Sequence, residues 1–172
     1  MTAVAGSVFT AAQFNTYVRD NFNECPVAKA TTPGSVFVTS DTNQIAERVP
    51  TSSAVSGSQT TTSTSYVDLG TVGPQVSVST GVSVLVWISC FAQNSTSGAQ
   101  SNVSFDITGA TSTAASDVES IRLQANSVND FMRAGICSQM TVTPGTNVFT
   151  MKYRVSGGTG TFANRSMTVF PL

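Results

Sequence analysis

From residue 66 to its end, the sequence is a series of short runs in which apolar and polar residues alternate, separated by clusters of Gly, Pro, Asn and Ser. Alternation with period two places one side of each run against a core, and turn signals about every dozen residues are typical of all-β sandwiches. The runs span residues 66–72, 74–80, 81–92, 100–109, 117–125, 130–143, 146–156 and 161–172. This pattern predicts about eight antiparallel strands in two packed sheets, an all-β sandwich of the jelly-roll type.

One of these runs is apolar on both sides. VSVLVWISCF carries valines and an isoleucine at alternate positions, with Leu85, Trp87 and Phe91 on the opposite side. A strand covered on both faces in a small sandwich indicates that the outer face of its sheet meets another protomer. We expect that contact at Trp87 or on the last strand near Met167 and Phe170, where breaks in the alternation leave the register open.

The segment TAAQFNTYVRDNFNE, residues 10–24, is the clearest helix signal in the chain. Thr10 and Gln13 have the spacing of a capping box, in which each side chain accepts a hydrogen bond from the backbone of the other residue. Phe9 and Phe14 occupy the two positions of a hydrophobic staple around that cap. The sequence therefore predicts one short helix that begins at Thr10.

The predicted helix has an apolar stripe on one side. Its apolar residues recur at helical spacing and two charged residues lie at its edge, so the predicted docking face comprises Phe9, Phe14, Tyr17, Val18, Arg19, Asp20 and Phe22. A helix of about a dozen residues is marginally stable alone in water, so another surface must cover the stripe. Either the helix covers the β-core of its own chain, or it docks on another subunit or a larger assembly.

The residues between the helix and the predicted sandwich divide into two parts. Two β-like pieces flank the turn sequence SDTN and predict a small hairpin over residues 35–48. Residues 51–65, TSSAVSGSQTTTSTS, are polar and of low complexity, which favours a linker. The expected organisation is an N-terminal docking arm over residues 1–50, the linker, and a β-sandwich domain over residues 66–172.

Composition argues against several functional classes. Charged residues make up 10% of the chain, the formal net charge is −1, and the eight Lys and Arg residues are scattered. Nucleic-acid binding is therefore not expected, because it needs a basic patch. No apolar run is long enough to span a bilayer, and the N-terminus lacks the basic and apolar regions of a secretory signal. We expect synthesis in a cytoplasm and no membrane partner.

The chain offers little for catalysis or metal binding. It has no His, no nucleophile or phosphate-loop motif, and three cysteines without CxxC spacing, so no catalytic residue, cofactor or metal site is predicted. Cys90 and Cys137 lie in predicted strands as small buried residues, and a disulfide between them stays open. Asp117 and Glu119 are spaced to share a strand face, as a glycosidase pair or a cation site would be, but the pattern much more strongly favours an ordinary solvated face.

Four segments carry a resemblance to a known class of proteins: AGSVFTAAQFNTYVRDNFNE, ATTPGSVFVTSDTNQIAERVP, TTTSTSYVDLGTVGPQVSVSTGVSVLV and FANRSMTVFPL. They resemble small virion structural proteins of tailed bacteriophages, particularly those of actinobacteria. The β-region is similar to the trimeric jelly rolls of the tumour-necrosis-factor-like type found in phage fibres and capsid decorations. The resemblance implies a virion component that forms a homotrimer and is made in the cytoplasm of a host bacterium.

Two non-enzymatic functions are compatible with these patterns. In the first, the protein decorates the outer surface of a capsid, and the N-terminal arm docks on the major capsid protein. In the second, the protein is a tail-fibre or baseplate appendage that binds a host glycan or receptor through its distal loops. The predicted loops STSGAQ, GATSTAAS, TPGT and SGGTG contain no aromatic residue, which favours decoration.

Overall fold

The computed structural model describes residues 8, 10–23, 25, 29–42 and 44–172, without the side chain of Asn23. The chain divides into two compact units, residues 1–47 and residues 48–172. Phe9 of the predicted docking face and Glu24 of the predicted helix lie outside the described residues.

The first unit begins with the predicted helix. It comprises α1 (Ala11–Phe14), a π-helical segment (Asn15–Arg19) and α2 (Asp20–Asn23), which follow one another without a break. The capping box is present, since the backbone N–H of Gln13 donates to Thr10 Oγ1 at 3.2 Å and the N–H of Thr10 donates to Gln13 Oε1 at 3.0 Å. The prediction of a helix that begins at Thr10 is therefore confirmed.

A two-stranded sheet follows, formed by β1 (Val36–Asp41) and β2 (Gln44–Arg48), and it confirms the predicted hairpin. Glu47 on β2 accepts hydrogen bonds from the backbone N–H groups of Thr31 and Thr32, at 3.0 and 2.7 Å, and from the hydroxyls of Thr31 and Ser35. These hydrogen bonds lower the pKa of Glu47 to about 2. One carboxylate thus fastens the turn that precedes the hairpin.

Residues 48–172 contain nine strands in two antiparallel sheets. The strands are β3 (Thr51–Val55), β4 (Gln59–Thr61), β5 (Gln75–Thr80), β6 (Ser83–Asn94), β7 (Gln100–Gly109), β8 (Ile121–Gln124), β9 (Met132–Thr141), β10 (Gly145–Val155) and β11 (Gly160–Pro171). The front sheet has the order β3-β11-β6-β9, and β4 also pairs with β11. The back sheet has the order β5-β10-β7-β8.

The pairing of these strands is nested. Apart from β4, the first strand pairs with the eighth (β3 with β11), the second with the seventh (β5 with β10), the third with the sixth (β6 with β9) and the fourth with the fifth (β7 with β8). This order results when one long antiparallel ribbon folds over on itself, and it defines a jelly roll. The predicted fold class is therefore confirmed.

The core lies between the inner faces of the two sheets. β6 contributes the alternate residues that the sequence predicts, and β10 supplies the largest side chains opposite them. The fully buried apolar residues of these two strands are Val84, Val86, Ile88, Cys90, Ala92, Phe149, Met151, Tyr153 and Val155. Burying each large apolar side chain contributes about 1.5–3 kcal/mol, so this interface is the main source of stability.

The prediction of a linker over residues 51–65 is wrong, because β3 and β4 lie within it. Both strands pair with β11 at the edge of the front sheet, for example Ser52 with Thr168 and Thr60 with Thr161. Their side chains are half-buried or exposed. The strands are therefore held by backbone hydrogen bonds, which any residue except proline can make, and leave no apolar periodicity in the sequence.

Of two other predicted strands, one is absent and one is shorter than expected. Residues 66–72 form no strand and make a single backbone bridge to β10, between Val67 and Tyr153. The predicted strand over residues 117–125 is reduced to β8, and Asp117 and Glu119 lie in the preceding turn. The total of eight jelly-roll strands is nevertheless as predicted, since β3 takes the place of the expected first strand.

Candidate interaction surfaces

The apolar stripe of the helix is exposed. Phe14, Tyr17 and Phe22 are 49%, 48% and 66% exposed, and Val18 is half-buried. A concavity of about 420 Å³ lies along the helix beside Tyr17, Val18 and Phe22. The structure thus brings the described apolar residues of the predicted docking face together on one accessible surface.

The charged edge of the docking face is neutralised internally. Arg19 and Asp20 form an ion pair at 2.9 Å, and both side chains are more than half exposed. Exposed pairs of this kind contribute little to stability, about 0–1 kcal/mol. The pair therefore leaves the aromatic residues as the features of this helix that could contribute most to binding.

A second exposed surface is the outer side of the front sheet, here called the front face. Strand register places its side chains on one side of β3, β11, β6 and β9. They belong to Ser52, Ala54, Leu85, Trp87, Ser89, Phe91, Arg133, Gly135, Cys137, Gln139, Ser166, Thr168 and Phe170. This set is apolar, small or weakly polar, and Arg133 is its one charged member.

Trp87 lies at the centre of the front face and is 57% exposed. A Cβ atom added to Gly135 would lie 3.2 Å from the indole Nε1 of Trp87, so the indole extends across β9 over the glycine. A side chain at this position would crowd both the indole and the Ile88 carbonyl, so glycine lets the ring lie close to β9. The two residues together form a flat aromatic platform.

Arg133 is stacked beside this platform. Its guanidinium lies 5.0 Å from the centre of the Phe91 ring. The ring of Phe131 also stacks on Phe91, with the two ring centres 5.4 Å apart. Nε and Nη2 of Arg133 both donate to the hydroxyl of Ser89 at 3.3 Å. The cation–π contact fixes the direction of the guanidinium without neutralising it.

Of the three residues predicted for the subunit interface, two lie on the front face and one does not. Trp87 and Phe170 are on the outer side, and Phe170 is 36% exposed. Met167 is completely buried and pairs with Ile88, so its side chain belongs to the core. The expectation for Met167 is corrected because an irregularity in β11 between Ala163 and Ser166 shifts the alternation by one residue.

The back sheet carries an ionic cluster on its outer side. Asp117 accepts hydrogen bonds from Arg154 Nε and Nη2, at 3.0 and 2.6 Å, and from the hydroxyl of Tyr66 at 2.9 Å. Lys152 bonds both carboxylate oxygens of Asp68 at 2.8 Å. Hydrogen bonds from Arg154 and Tyr66 hold the pKa of Asp117 below its usual value.

This cluster lines a concavity of about 790 Å³ but has few uncommitted groups. Lys152 also contacts Asp106 at 3.3 Å, and Arg122 lies 3.7 Å from Asp117. Because its acids and bases pair with one another, apart from Oδ1 of Asp106, which has no partner among the described residues, the cluster acts as a clamp that holds residues 66–68 and the β7–β8 loop on the sheet. Asp117 is thus engaged by cations, which does not suit a glycosidase pair with Glu119.

The cysteines are free. Cys90 is buried on the inner side of β6, whereas Cys137 is exposed on the outer side of β9. The two residues therefore point to opposite faces of one sheet, which excludes a disulfide between them, and the expected burial of Cys137 is wrong. Burial raises the pKa of the Cys90 thiol to about 12.

Within residues 8, 10–23, 25, 29–42 and 44–172, no group of three or more Cys, Asp or Glu residues is arranged to hold a metal ion. No helix in these residues is long and apolar enough to cross a bilayer.

The sequence matches no family model and no curated protein, whereas 61 chains of solved structures are similar in fold. Eiger TNF from S. frugiperda is 10% identical with a TM-score of 0.49, over 70% of this chain and 91% of that one. A chain of infectious bursal disease virus, Gx strain, is 13% identical with a TM-score of 0.46, over 78% of this chain and 37% of that one. Similarity at this level concerns strand arrangement alone, and the jelly-roll assignment rests on the strand pairing within this chain.

The sequence analysis missed Arg133, Gly135 and the ionic clamp. For Arg133 a signal existed, because the alternation in DFMRAGICSQMTVT places it on the side opposite Ala134 and Ile136. For the clamp none existed, since Asp68, Asp117 and Arg154 are far apart in sequence.

Proposed function

We propose that the protein is a non-enzymatic structural component of a virion, a homotrimeric decoration protein on the outer capsid surface whose helix docks on the major capsid protein. The exposed aromatic face of the helix carries this proposal. The resemblance of four sequence segments to virion proteins of tailed bacteriophages supplies the class of partner.

The helix needs a partner for its stability. A segment that extends from Ala11 to Asn23 is marginal alone in water, and helices of this length depend on packing of their apolar face. Phe14, Tyr17 and Phe22 each expose about half or more of their surface. Burying them in a hydrophobic groove of a shell protein would contribute roughly 1.5–3 kcal/mol for each side chain that is fully covered.

The hairpin in the same unit supports this reading. Two-stranded sheets are marginally stable without a covering surface. Val36 and Phe37 on β1 are 37% and 38% exposed. The helix and the hairpin together would therefore form the attachment arm, and both would be stabilised when it binds.

The front face is the surface proposed for trimerisation. Trp and Arg are among the residue types that contribute most at protein interfaces, and Trp87 and Arg133 line one concavity on this face. A two-fold contact whose axis passes near Arg133 would bring two like charges together. A cyclic trimer is heterologous, so Arg133 of one copy would meet a different patch of the next.

Trimerisation and docking would reinforce each other. Three arms on one trimer engage a capsid lattice simultaneously, and this raises the effective concentration of each arm after the first has bound. Weak individual docking would then be sufficient for stable decoration.

The docking arm is tested by the double variant Phe14→Ala/Phe22→Ala, with Thr16→Ala on the same helix as the control. We expect the double variant to lose attachment to capsids in co-sedimentation while the circular dichroism of the jelly roll is unchanged. Attachment that survives in the double variant would refute docking through this face.

Location on the virion is tested by copy number. Quantitative mass spectrometry of purified particles, normalised to the major capsid protein, should give a number that scales with the shell lattice. A handful of copies in a multiple of three would refute decoration and favour a tail appendage.

The trimer is tested by light scattering, which measures the molar mass in solution. Trp87→Ala should reduce the mass to that of a monomer, whereas Trp87→Phe should retain the trimer.

A further inference from the structure

A small pocket at the boundary between β3 and β11 contains two arginines. It has a volume of about 220 Å³ and is lined by residues 54–56, residues 164–166 and Arg133. Neither Arg133 nor Arg165 forms an ion pair with an acidic side chain among the described residues. This arginine pocket therefore carries positive charge that no described part of the chain neutralises.

Arg165 is completely buried. Its Nη1 donates to the carbonyls of Thr71 and Gly73 at 3.4 and 3.2 Å, its Nη2 donates to Gln59 Oε1 at 3.3 Å, and its Nε has no partner among the described residues. All these acceptors are neutral. A buried cation without a counter-ion is unfavourable, so an anion nearby would be stabilised by it.

The β11 irregularity creates this arrangement. Asn164 has a positive φ of 46°, a conformation that Asn adopts more readily than most residues, and the pairing with β6 is interrupted from Ala163 to Ser166. The extra residue turns Arg165 towards the interior and leaves Asn164 exposed. Such bulges are common next to functional sites, where they redirect a side chain.

Arg133 reaches the pocket from the other side. Its Nε and Nη2 share the hydroxyl of Ser89, and its Nη1 makes no hydrogen bond to a described residue. The side chains of Ser56, Asn164 and Ser166 likewise make no hydrogen bond within the described part of the chain. The polar groups around the pocket are therefore free to bind a ligand, whereas the charged side chains of the ionic clamp are paired with one another.

We infer that the arginine pocket is a binding site for a carboxylate. Arg133 would donate directly to the carboxylate, since its planar guanidinium suits a two-oxygen acceptor. Arg165 is completely buried and would not contact the ligand, but its positive charge would stabilise the bound carboxylate. Ala54 on the wall suits a short aliphatic stem next to the carboxylate, as in an acidic side chain or a small organic acid. The inference rests on the pocket and does not require the trimer, although Arg133 also belongs to the front face proposed for trimerisation.

A carboxylate fits the pocket better than phosphate. Phosphate groups are usually held by several accessible cations or backbone N–H groups, whereas this pocket exposes one guanidinium and has the methyl group of Ala54 on its wall. We therefore expect acetate to bind more tightly than phosphate.

The experiment is a titration of the full chain with sodium acetate, sodium phosphate and a blocked glutamate whose one charge is its side-chain carboxylate, each at constant ionic strength. Backbone amide resonances of Ser56, Asn164 and Ser166 report on the pocket. We expect saturable shifts with acetate, and tighter binding of the blocked glutamate if an acidic side chain is the natural occupant. Binding of acetate without the blocked glutamate would assign the site to a small free acid.

Variants of exposed arginines make the test specific. Arg133→Gln should weaken acetate binding about tenfold, Arg133→Lys should give an intermediate value, and Arg122→Gln on the back sheet should leave binding unchanged. The inference is overturned by the absence of saturable shifts, by equal effects of the Arg133 and Arg122 variants, or by phosphate binding tighter than both carboxylates.

Discussion

Asn147 joins three separate parts of the jelly roll, and its replacement by leucine should be strongly destabilising. The residue is completely buried near the start of β10. Its Oδ1 accepts from the backbone N–H of Thr111 at 2.7 Å, and its Nδ2 donates to Thr80 Oγ1 at 2.8 Å and to the carbonyl of Thr143 at 2.9 Å. One side chain thus connects the end of β5, the β7–β8 loop and the β9–β10 turn.

The expected loss is estimated from these three hydrogen bonds. Each contributes a net value of about 1 kcal/mol, so Asn147→Leu should lower the free energy of unfolding by about 3 kcal/mol. Leucine has nearly the same shape, so little of the effect comes from a change in packing volume. With a urea dependence of about 2 kcal/mol per M, the unfolding midpoint should fall by about 1.5 M.

Asn102 is a matched control for this variant. It too is completely buried in a strand, β7, but neither Nδ2 nor Oδ1 has a hydrogen-bond partner among the described residues. Asn102→Leu removes two polar atoms that are desolvated without compensation, so it should raise the free energy of unfolding by about 1 kcal/mol. The same chemical substitution is thus expected to have opposite effects at the two positions.

The assay is urea unfolding followed by circular dichroism and by the fluorescence of Trp87, the single tryptophan of the chain. Trp87 lies on β6, so its signal reports on the jelly roll. Equal midpoints for the Asn147 and Asn102 variants, or a loss below about 1 kcal/mol for Asn147→Leu, would refute the argument that the hydrogen bonds of Asn147 organise the loops.

Three further outcomes are expected. The pKa of Glu47 is lowered to about 2, so its hydrogen bonds stabilise the turn fully above pH of about 4.5 and are lost as the pH falls towards 2. The amide resonance of Thr32, which donates to Glu47, should therefore titrate near pH 2. A midpoint near 4.5 would contradict this. In thiol labelling of the folded protein at pH 8, Cys137 should react rapidly and Cys90 only on unfolding, since its pKa is about 12; equal rates would contradict the assigned burial. Gly109→Ala should lower the free energy of unfolding by about 2 kcal/mol in the urea assay, because φ is +103° at Gly109 and a Cβ would collide with the backbone carbonyl of Thr146 in β10. An unchanged midpoint would contradict this.

The front face shows how far alternation can predict a surface. The sequence places Trp87 on the side opposite the core valines, and the structure has it there. The same reasoning fails for Met167, since the shift of register in β11 moves its side chain to the interior. A bulge depends on the fit between two paired strands, and the sequence of one strand does not reveal it.

The sequence by itself determined the helix start, the hairpin and the all-β class. Each depends on interactions within a few residues, such as the mutual hydrogen bonds of Thr10 and Gln13, or on a period that repeats along one strand. These signals can therefore be read without knowing how the rest of the chain folds.

The tertiary structure alone decided the roles of β3 and β4, the ionic clamp and the arginine pocket. Ser52 pairs with Thr168, Tyr66 bonds Asp117, and the pocket unites Arg133 with the bulge of β11. Such contacts join residues far apart in sequence, and in β3 they are made by backbone groups that are the same in every non-proline residue. Their partners are fixed only when the nested strands pair, and the sequence therefore could not predict them.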